Sequence, residues 1–530
     1  MDLSQEPKVA HYFFYLPEIM KTYHTSRYNI SSWTKHRMKK ILKKYTKTLV
    51  FLLLICGFLV WMGSFIFSYD RIFEKGEDLI FHDVSRINPE KVLAVDSVKT
   101  TSQIQSIIKE ANEKWLKVSI AWSRHSQGWH TYYKDSVVID MRNYNKILKI
   151  DKANKLLTVQ AWATWDDIQR YINPYGLSVK VMQSSNIFTV WWSMSANVHG
   201  RDIESTSIIN TVQSFRLLTA SGEILDVSRE NNSELFPLVI GWYGLFWVIL
   251  DATFSLIEND LYEQKAILIS HDEFPKYFSK KILTNTWITM MMARPSITSW
   301  TFLNEIVVNT WELSLENKTN AQTTLTEEEN ILRDKLFFWL SRSYEWGKDL
   351  RWYLQKRIEL PLGKVRVMTR NNAMRPPQAP IEFLDYYAKN DTDILQEYFI
   401  PTSKYSLFTE EMKRILQENA INTLSFTVRY VRKSSDALLS YCPNEDCFSI
   451  ILLTNVWLDK GSQRHTEEVT RKIVDAALAH SWSYYLTYQL YPTQVQLKKA
   501  YPNFDLFISA KKKYDPNEIF INSFYKKYEK

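Results

Sequence analysis

The residues best placed to do chemistry fall in Ala121–Gln127, which reads Ala-Trp-Ser-Arg-His-Ser-Gln. The stretch follows a short apolar run, Val118–Ala121. A turn here would aim backbone N–H groups and the His125 imidazole at a bound ligand. Three later stretches look like parts of the same device: Ala161-Trp162-Ala163-Thr164, Trp191-Trp192-Ser193-Met194-Ser195 and Gly241-Trp242-Tyr243-Gly244-Leu245-Phe246-Trp247-Val248. All four are turn-like, and all four carry tryptophan where a backbone that must bend tightly around a ligand needs glycine.

The elements that must position these turns lie in residues 83–259, where strand and helix patterns alternate. Thr101–Trp115 reads as a helix with Ile104, Ile107, Ile108, Ala111 and Trp115 on one face. Val118–Ala121, Ser136–Met141 and Leu156–Ala161 read as strands, and Trp165–Ile172 as a short helix stopped before Pro174. Val212–Ala220, a Ser221-Gly222 turn and Glu223–Ser228 form a hairpin, and Phe246–Ile257 is a long final strand. Mixed order of this kind predicts an α+β domain. Residues 260–495 form a second region, with a helix near Glu273–Leu283 and strands at Trp287–Ala293 and Ile306–Val308. A long charged helix follows at Leu325–Leu362, then a loop at Met368–Pro380. Strands near Leu424–Val431 and Phe448–Thr454, a helix at Thr466–Ala479 and a strand at Tyr484–Gln489 complete it. Residues 496–530 close the chain.

Bulk numbers fit this plan. A chain of 530 residues is too long for one compact core. Residues 1–47 carry ten Lys/Arg against three Asp/Glu, seven of the net charge of +8, so the remainder is near neutral and offers no nucleic-acid surface. Thr48–Ser68 is an uncharged apolar run, long enough to span a bilayer as one transmembrane helix. Seven Lys/Arg at 35–47 predict a cytoplasmic N-terminus, with the large domain on the extracytoplasmic side. Cys442 and Cys447 in Cys-Pro-Asn-Glu-Asp-Cys are either a small disulfide loop or two free thiols. The ten histidines show no metal-ligand spacing.

Residues 83–259 resemble the FAD-binding domain of the vanillyl-alcohol-oxidase/p-cresol-methylhydroxylase (PCMH) superfamily. Tyr-Asp-Pro-Asn-Glu-Ile-Phe-Ile-Asn at 514–522 is similar to its alditol and aldonolactone oxidase branch and to decaprenylphosphoryl-ribose oxidases. The resemblance implies a two-subdomain FAD-binding domain at 83–259, an α+β substrate (cap) domain at 260–495 and a C-terminal segment, 496–530, that packs back on the first. It places Trp122, Ser123, Arg124, His125, Ser126 and Gln127 on the FAD pyrophosphate turn, with His125 the candidate for a covalent 8α-histidyl link. Trp162, Trp191, Trp192, Ser193, Ser195, Asn197, His199 and Gly200 fall on further cofactor turns. Gly244, Val248 and Ile249 would meet the cofactor through backbone atoms.

The implied activity is oxidation of a CH–OH group of a sugar, polyol, aldonolactone or lipid-linked sugar, with hydride passing to flavin N5. Where relatives use a lysine near the substrate, this chain has Tyr488, followed by Gln489; Lys498, Tyr430 and Arg432 are further candidates. A lipid-linked sugar oxidase working with a reductase partner as an epimerase is the alternative within the family.

Trp122, Trp129, Trp162, Trp191, Trp192, Trp242 and Trp247 stand at the family's glycine positions, and Trp482 looks similar. Trp115 and Trp165 sit at helical positions where an aromatic is ordinary. At about 7% usage a chain of this length would hold roughly 37 glycines; this one has 12, with 19 tryptophans. Either these tryptophans are literal and exclude FAD, leaving a non-catalytic pseudoenzyme, or UGA codons that mean glycine in the source cells are printed as tryptophan.

Overall fold

The computed structural model describes residues 32–69, 79–121, 126, 128, 131–316, 320–327, 331–360, 366–375, 388–480 and 482–529. The chain divides into two units, Met1–Phe67 and Ser68–Lys530. The described residues of the first belong to a helix, Ser32–Tyr69. Its stretch Lys39–Gly63 is long and apolar enough to cross a membrane.

Three sheets build most of the second unit. The first is parallel, in the order Ala94–Ser97, Val137–Asp140, Val118–Ala121. Helix Thr101–Lys114 leads into it. Thr100 caps that helix in a reciprocal box with Gln103, and Ile104, Ile108 and Ala111 form its buried face. The helix ends at Trp115, which adopts the left-handed conformation with φ +56°, while Leu116 N–H closes back on the Ala111 carbonyl. Trp115 is therefore the residue just past the helix, where glycine is favoured, and not a member of its apolar face. Residues of the C-terminal segment run beside this sheet: Val118 N–H donates to Ile519 O at 2.7 Å and Ile521 N–H to Val118 O at 2.9 Å.

The second sheet is antiparallel. Its order is Ile224–Ser228, Val212–Leu218, Val248–Glu258, Leu156–Gln160, Ile147–Asp151, and Leu177–Val179 also pairs with Val248–Glu258. The hairpin and the long strand read from the sequence are both in it. The third sheet has eight strands: Arg366–Thr369, Leu261–Ser270, Glu305–Leu313, Ile288–Pro295, Thr423–Val431, Cys447–Trp457, Asp391–Pro401 and Ser483–Tyr484. Helix Tyr405–Glu418 covers it, with Phe408 on Tyr398 at 5.7 Å between ring centroids.

Several expectations need correcting. The helix expected at Glu273–Leu283 is a short turn, Phe274–Tyr277, followed by a wider π-type turn, Phe278–Ile282. The long helix expected at Leu325–Leu362 is two, Ile331–Ser343 and Glu345–Glu359. The loop expected from Met368 begins as strand Arg366–Thr369 and helix Arg370–Met374. The strand expected at Tyr484–Gln489 stops at Tyr484, because the chain turns there to carry Tyr488 and Gln489 to other partners. Cys442 and Cys447 are both buried free thiols.

Candidate functional site

Three of the four tryptophan-bearing turns are laced together by main-chain bonds. The turn after strand Leu156–Gln160 offers the Ala163 and Ala161 carbonyls to Val190 N–H at 3.0 Å and Trp191 N–H at 2.5 Å. Thr189 caps the short helix Val190–Ser195, accepting Trp192 N–H on its hydroxyl at 3.3 Å. The carbonyls of Met194 and Ser195 then take Gly241 N–H at 2.9 Å and Tyr243 N–H at 3.0 Å. Gly241, Tyr243 and Gly244 have φ of +92°, +58° and +73°, so this bend is a left-handed one. Val248 and Ile249 follow it, fully buried at the start of their strand.

The fourth turn is only partly visible. Trp122, Ser123, Arg124, His125, Gln127 and Trp129 lie outside the described residues. Ser126 is buried; its carbonyl accepts Val84 N–H at 3.0 Å and its hydroxyl bonds Gly128 O. The other expected cofactor residues take up internal bonds. Ser193 Oγ meets Thr189 O at 2.8 Å, Gln183 Oε1 at 2.9 Å and the Trp165 indole N–H at 2.9 Å. Ser195 Oγ accepts the Trp242 indole N–H at 3.0 Å. Asn197 Oδ1 accepts Ile209 N–H, and its carbonyl takes Tyr441 O–H. A Cβ at Gly200 would sit 2.4 Å from the Met182 carbonyl oxygen, so the backbone passes there too closely for any side chain.

His199 belongs to a different, ionic cluster that the third sheet supplies. Its Nε2 lies 2.5 Å from Glu397 Oε1. Ser449 donates to the same oxygen, and Tyr488 O–H donates to Glu397 Oε2 at 3.0 Å. Arg429 donates to the His199 carbonyl at 3.2 Å and to Ser184 Oγ. Tyr441 and Tyr485 close it with their rings, 6.0 Å each from His199. Burial alone would raise the Glu397 carboxyl, but His199, Arg429 and Ser449 outweigh it and hold it below its ordinary range. The Tyr488 phenol is pushed well up, first by burial and then by the Glu397 charge. The Arg429 guanidinium is lowered by burial against the opposing pull of Glu397.

The remaining candidates fall elsewhere. Gln489 is buried and donates to Asp83 Oδ2 at 2.8 Å and Ser85 Oγ at 3.0 Å, so it ties down the chain at 83–85. Lys498 is a half-exposed surface residue in an ion pair with Asp505 at 2.8 Å; its charge faces solvent, which corrects its candidacy as a catalytic group. Tyr430 donates to Asp446, and Arg432 to the Ile203 carbonyl at 3.0 Å. Sequence reading missed Glu397, Arg429 and Ser449. The available signal was a glutamate and an arginine interrupting apolar strands, Ile394–Ile400 and Leu424–Val431.

The FAD binding domain family matches residues 92–228, which hold the turns at 121–127, 161–164 and 191–195 but end before that at 241–248. The chain is an FAD-dependent oxidoreductase with a PCMH-type FAD-binding domain. It is similar to L-gulonolactone oxidase of Bos taurus, 22% identical over 83% of this chain and 95% of that protein. It is 31% identical to decaprenylphosphoryl-beta-D-ribose oxidase of Mycolicibacterium smegmatis over 31% of this chain, spanning 37% of that relative's length. Mitochondrial L-galactono-1,4-lactone dehydrogenase of Brassica oleracea is 23% identical over 35% of this chain and 31% of its own.

The tryptophans as read do not fit this cofactor. Trp162, Trp191, Trp242 and Trp247 are each at most 2% exposed, and their rings occupy the space between the turns. Trp162 stacks on Trp191 at 4.7 Å, and Trp242 lies 6.4 Å from Trp247. The Trp191 ring is pressed on the bare backbone of Gly244, where a Cβ would come within 3.0 Å of it. A diphosphate could not reach main-chain N–H groups through these indoles.

Proposed function

We propose that this protein is a membrane-anchored oxidoreductase that oxidises a CH–OH group of a sugar, polyol, aldonolactone or lipid-linked sugar. The helix in Ser32–Tyr69 would be its single anchor, with the N-terminus cytoplasmic and residues 83–530 on the far side. Residues 83–259 would form the two-subdomain cofactor domain and 260–495 the cap. The observation that carries the reading is the similarity to L-gulonolactone oxidase across 95% of that relative's length. His125 would carry the cofactor link, and Ser126, His199 and Gly200 would lie at the cofactor's edge.

On the polypeptide, Tyr488 is the group proposed to meet the substrate. Its O–H is committed to Glu397, so its lone pairs remain to accept a hydrogen bond from the substrate hydroxyl. Glu397 and His199 are positioning residues: the low carboxyl of Glu397 makes it a poor base but a firm acceptor. The test is to supply protein purified from its source cells with aldonolactones, polyols and a polyprenyl-phosphoryl pentose, and to look for the carbonyl product. Oxidation of none of the three classes would overturn the reading. The second reading, one half of an epimerase with a reductase partner, is favoured by the 31% identity to the decaprenylphosphoryl-ribose enzyme. Turnover of the lipid-linked pentose alone would select it.

A further inference from the structure

We propose that the protein made in its own cells carries glycine, not tryptophan, at 115, 162, 191, 192, 242 and 247. The inference rests on the FAD reading of these turns, and a codon such as UGA, which different translation systems read as glycine or as tryptophan, accounts for it. Three observations carry it.

The first is unmet hydrogen bonding. A buried Trp N–H ordinarily finds an acceptor. Trp165 does so twice, on Gln183 and Ser193. Trp352 does so on Glu305 at 3.1 Å. Trp162, Trp191 and Trp247 have buried indole nitrogens with no acceptor among the described residues. Trp311 shares that deficit, but it lies on a strand and holds the Arg201 guanidinium over its ring at 5.2 Å. Trp162 and Trp191 share one stack, and Trp247 packs on Trp242 and Tyr514. Three such deficits at these turns are not what a sequence selected for tryptophan would produce, since each buries a donor unpaired.

The second is backbone conformation. Trp115 is in the left-handed region at φ +56°, directly after a helix, and is 73% exposed. It gains nothing from burial there and pays the steric cost of its β-carbon. Glycine is the residue this cap favours. Trp115 ends a helix and lies outside all four turns, so filling those turns with rings does not explain it.

The third is what the indoles displace. Trp162, Trp191 and Trp192 line up ring against ring, at 4.7 Å and 6.3 Å. Removing flat aromatic side chains from between these turns would leave bare main chain facing a slot suited to a planar ring system with an attached diphosphate. Trp242 fits the same account: without its indole, the Ser195 oxygen that accepts the indole N–H is released beside the Gly241–Gly244 bend. Trp482 is left out, because it packs ordinarily between His480 and Phe408.

Peptide masses of the protein isolated from its source cells test this directly. Glycine masses at 115, 162, 191, 192, 242 and 247 are expected, and tryptophan masses there would overturn it. Two synthetic genes give an independent arm, one as printed and one with W115G, W162G, W191G, W192G, W242G and W247G together with W122G and W129G, the other two tryptophans that the sequence places at glycine positions. Added FAD should raise the melting temperature and remain bound through gel filtration for the glycine chain only. Stoichiometric FAD on the printed chain would overturn the inference. Should the glycine chain fold poorly, the masses still decide. Glycine masses with bound FAD and no oxidation of any CH–OH compound would support this inference and sink the proposed function instead.

Discussion

Two buried regions of this molecule solve the same problem differently. Around Glu397, charged and phenolic groups are interlocked: His199, Ser449 and Tyr488 all bond one carboxylate. Between the turns at 161–164, 190–195 and 241–248, an apolar pile of indoles leaves three N–H groups without acceptors among the described residues. The Glu397 cluster also leaves His199 Nδ1 and Arg429 Nε without a partner there, so unmet atoms alone do not separate the two regions. What separates them is their contents: the first binds several groups to one buried carboxylate, whereas the second fills tight turns with rings where bare main chain is favoured. On the proposal above, the first region is as selection left it and the second is not.

The sharpest way to break that contrast is to remove the carboxylate at the centre of the first region. Glu397→Ala leaves Arg429 without its counter-charge and His199 without its hydrogen-bond partner, and should cost about 3–5 kcal/mol of stability, read by denaturant titration. A cost below about 1 kcal/mol would show that the cluster is no more optimised than the indoles. The Lys511–Asp515 pair offers a parallel case. Both side chains are fully buried, and Asp515 also accepts Ile519 and Phe520 N–H at 2.9 Å each. Lys511→Ala should cost a similar amount and loosen the C-terminal segment from Val118.

The acid side sharpens it further. Asp83 is fully buried and its carboxyl is pushed up to about 6, because desolvation outweighs the bonds from Ser85 and Gln489. Its native value lies above its unfolded value, so the native state holds the proton more tightly. This contribution is full below about pH 4 and is lost as pH rises through about 6, a change of about 3 kcal/mol. Asp83→Asn should remove that loss, seen as melting temperature against pH. Glu397 behaves oppositely. Its native value is lowered, so its stabilisation is present at neutral pH and is lost only as pH falls below the ordinary carboxylate range.

Smaller effects separate substrate contact from scaffolding. Tyr488→Phe keeps the ring and removes the hydroxyl, and should lower kcat/KM by about 1–3 kcal/mol of transition-state binding with the fold intact. Lys498→Ala, on the surface, should change stability by less than about 1 kcal/mol and leave turnover alone.

The sequence made much of this legible, for physical reasons. Helix Trp165–Ile172 was readable to the residue because Thr164 and Asp167 cap it and Pro174 stops it. The hairpin around Ser221-Gly222 was readable for the same kind of local chemistry. Strand Asp391–Pro401 was missed because it is buried on both faces and shows no alternation. Glu397 was missed with it, since its importance comes from His199, nearly two hundred residues away in the chain. Helix Tyr405–Glu418 was an avoidable miss: Tyr405, Phe408, Thr409, Met412, Ile415 and Leu416 trace one helical face. Trp115 was misjudged because periodicity places it on the helix face, whereas the left-handed cap is set by the chain's exit from the helix.

One sample tests the central claim most directly. In protein purified from its own cells, FAD is quantified per chain and the residues at 191 and 192 are read by mass from the same preparation. The account predicts one FAD per chain together with glycine at both positions. One FAD per chain together with tryptophan at both would contradict it.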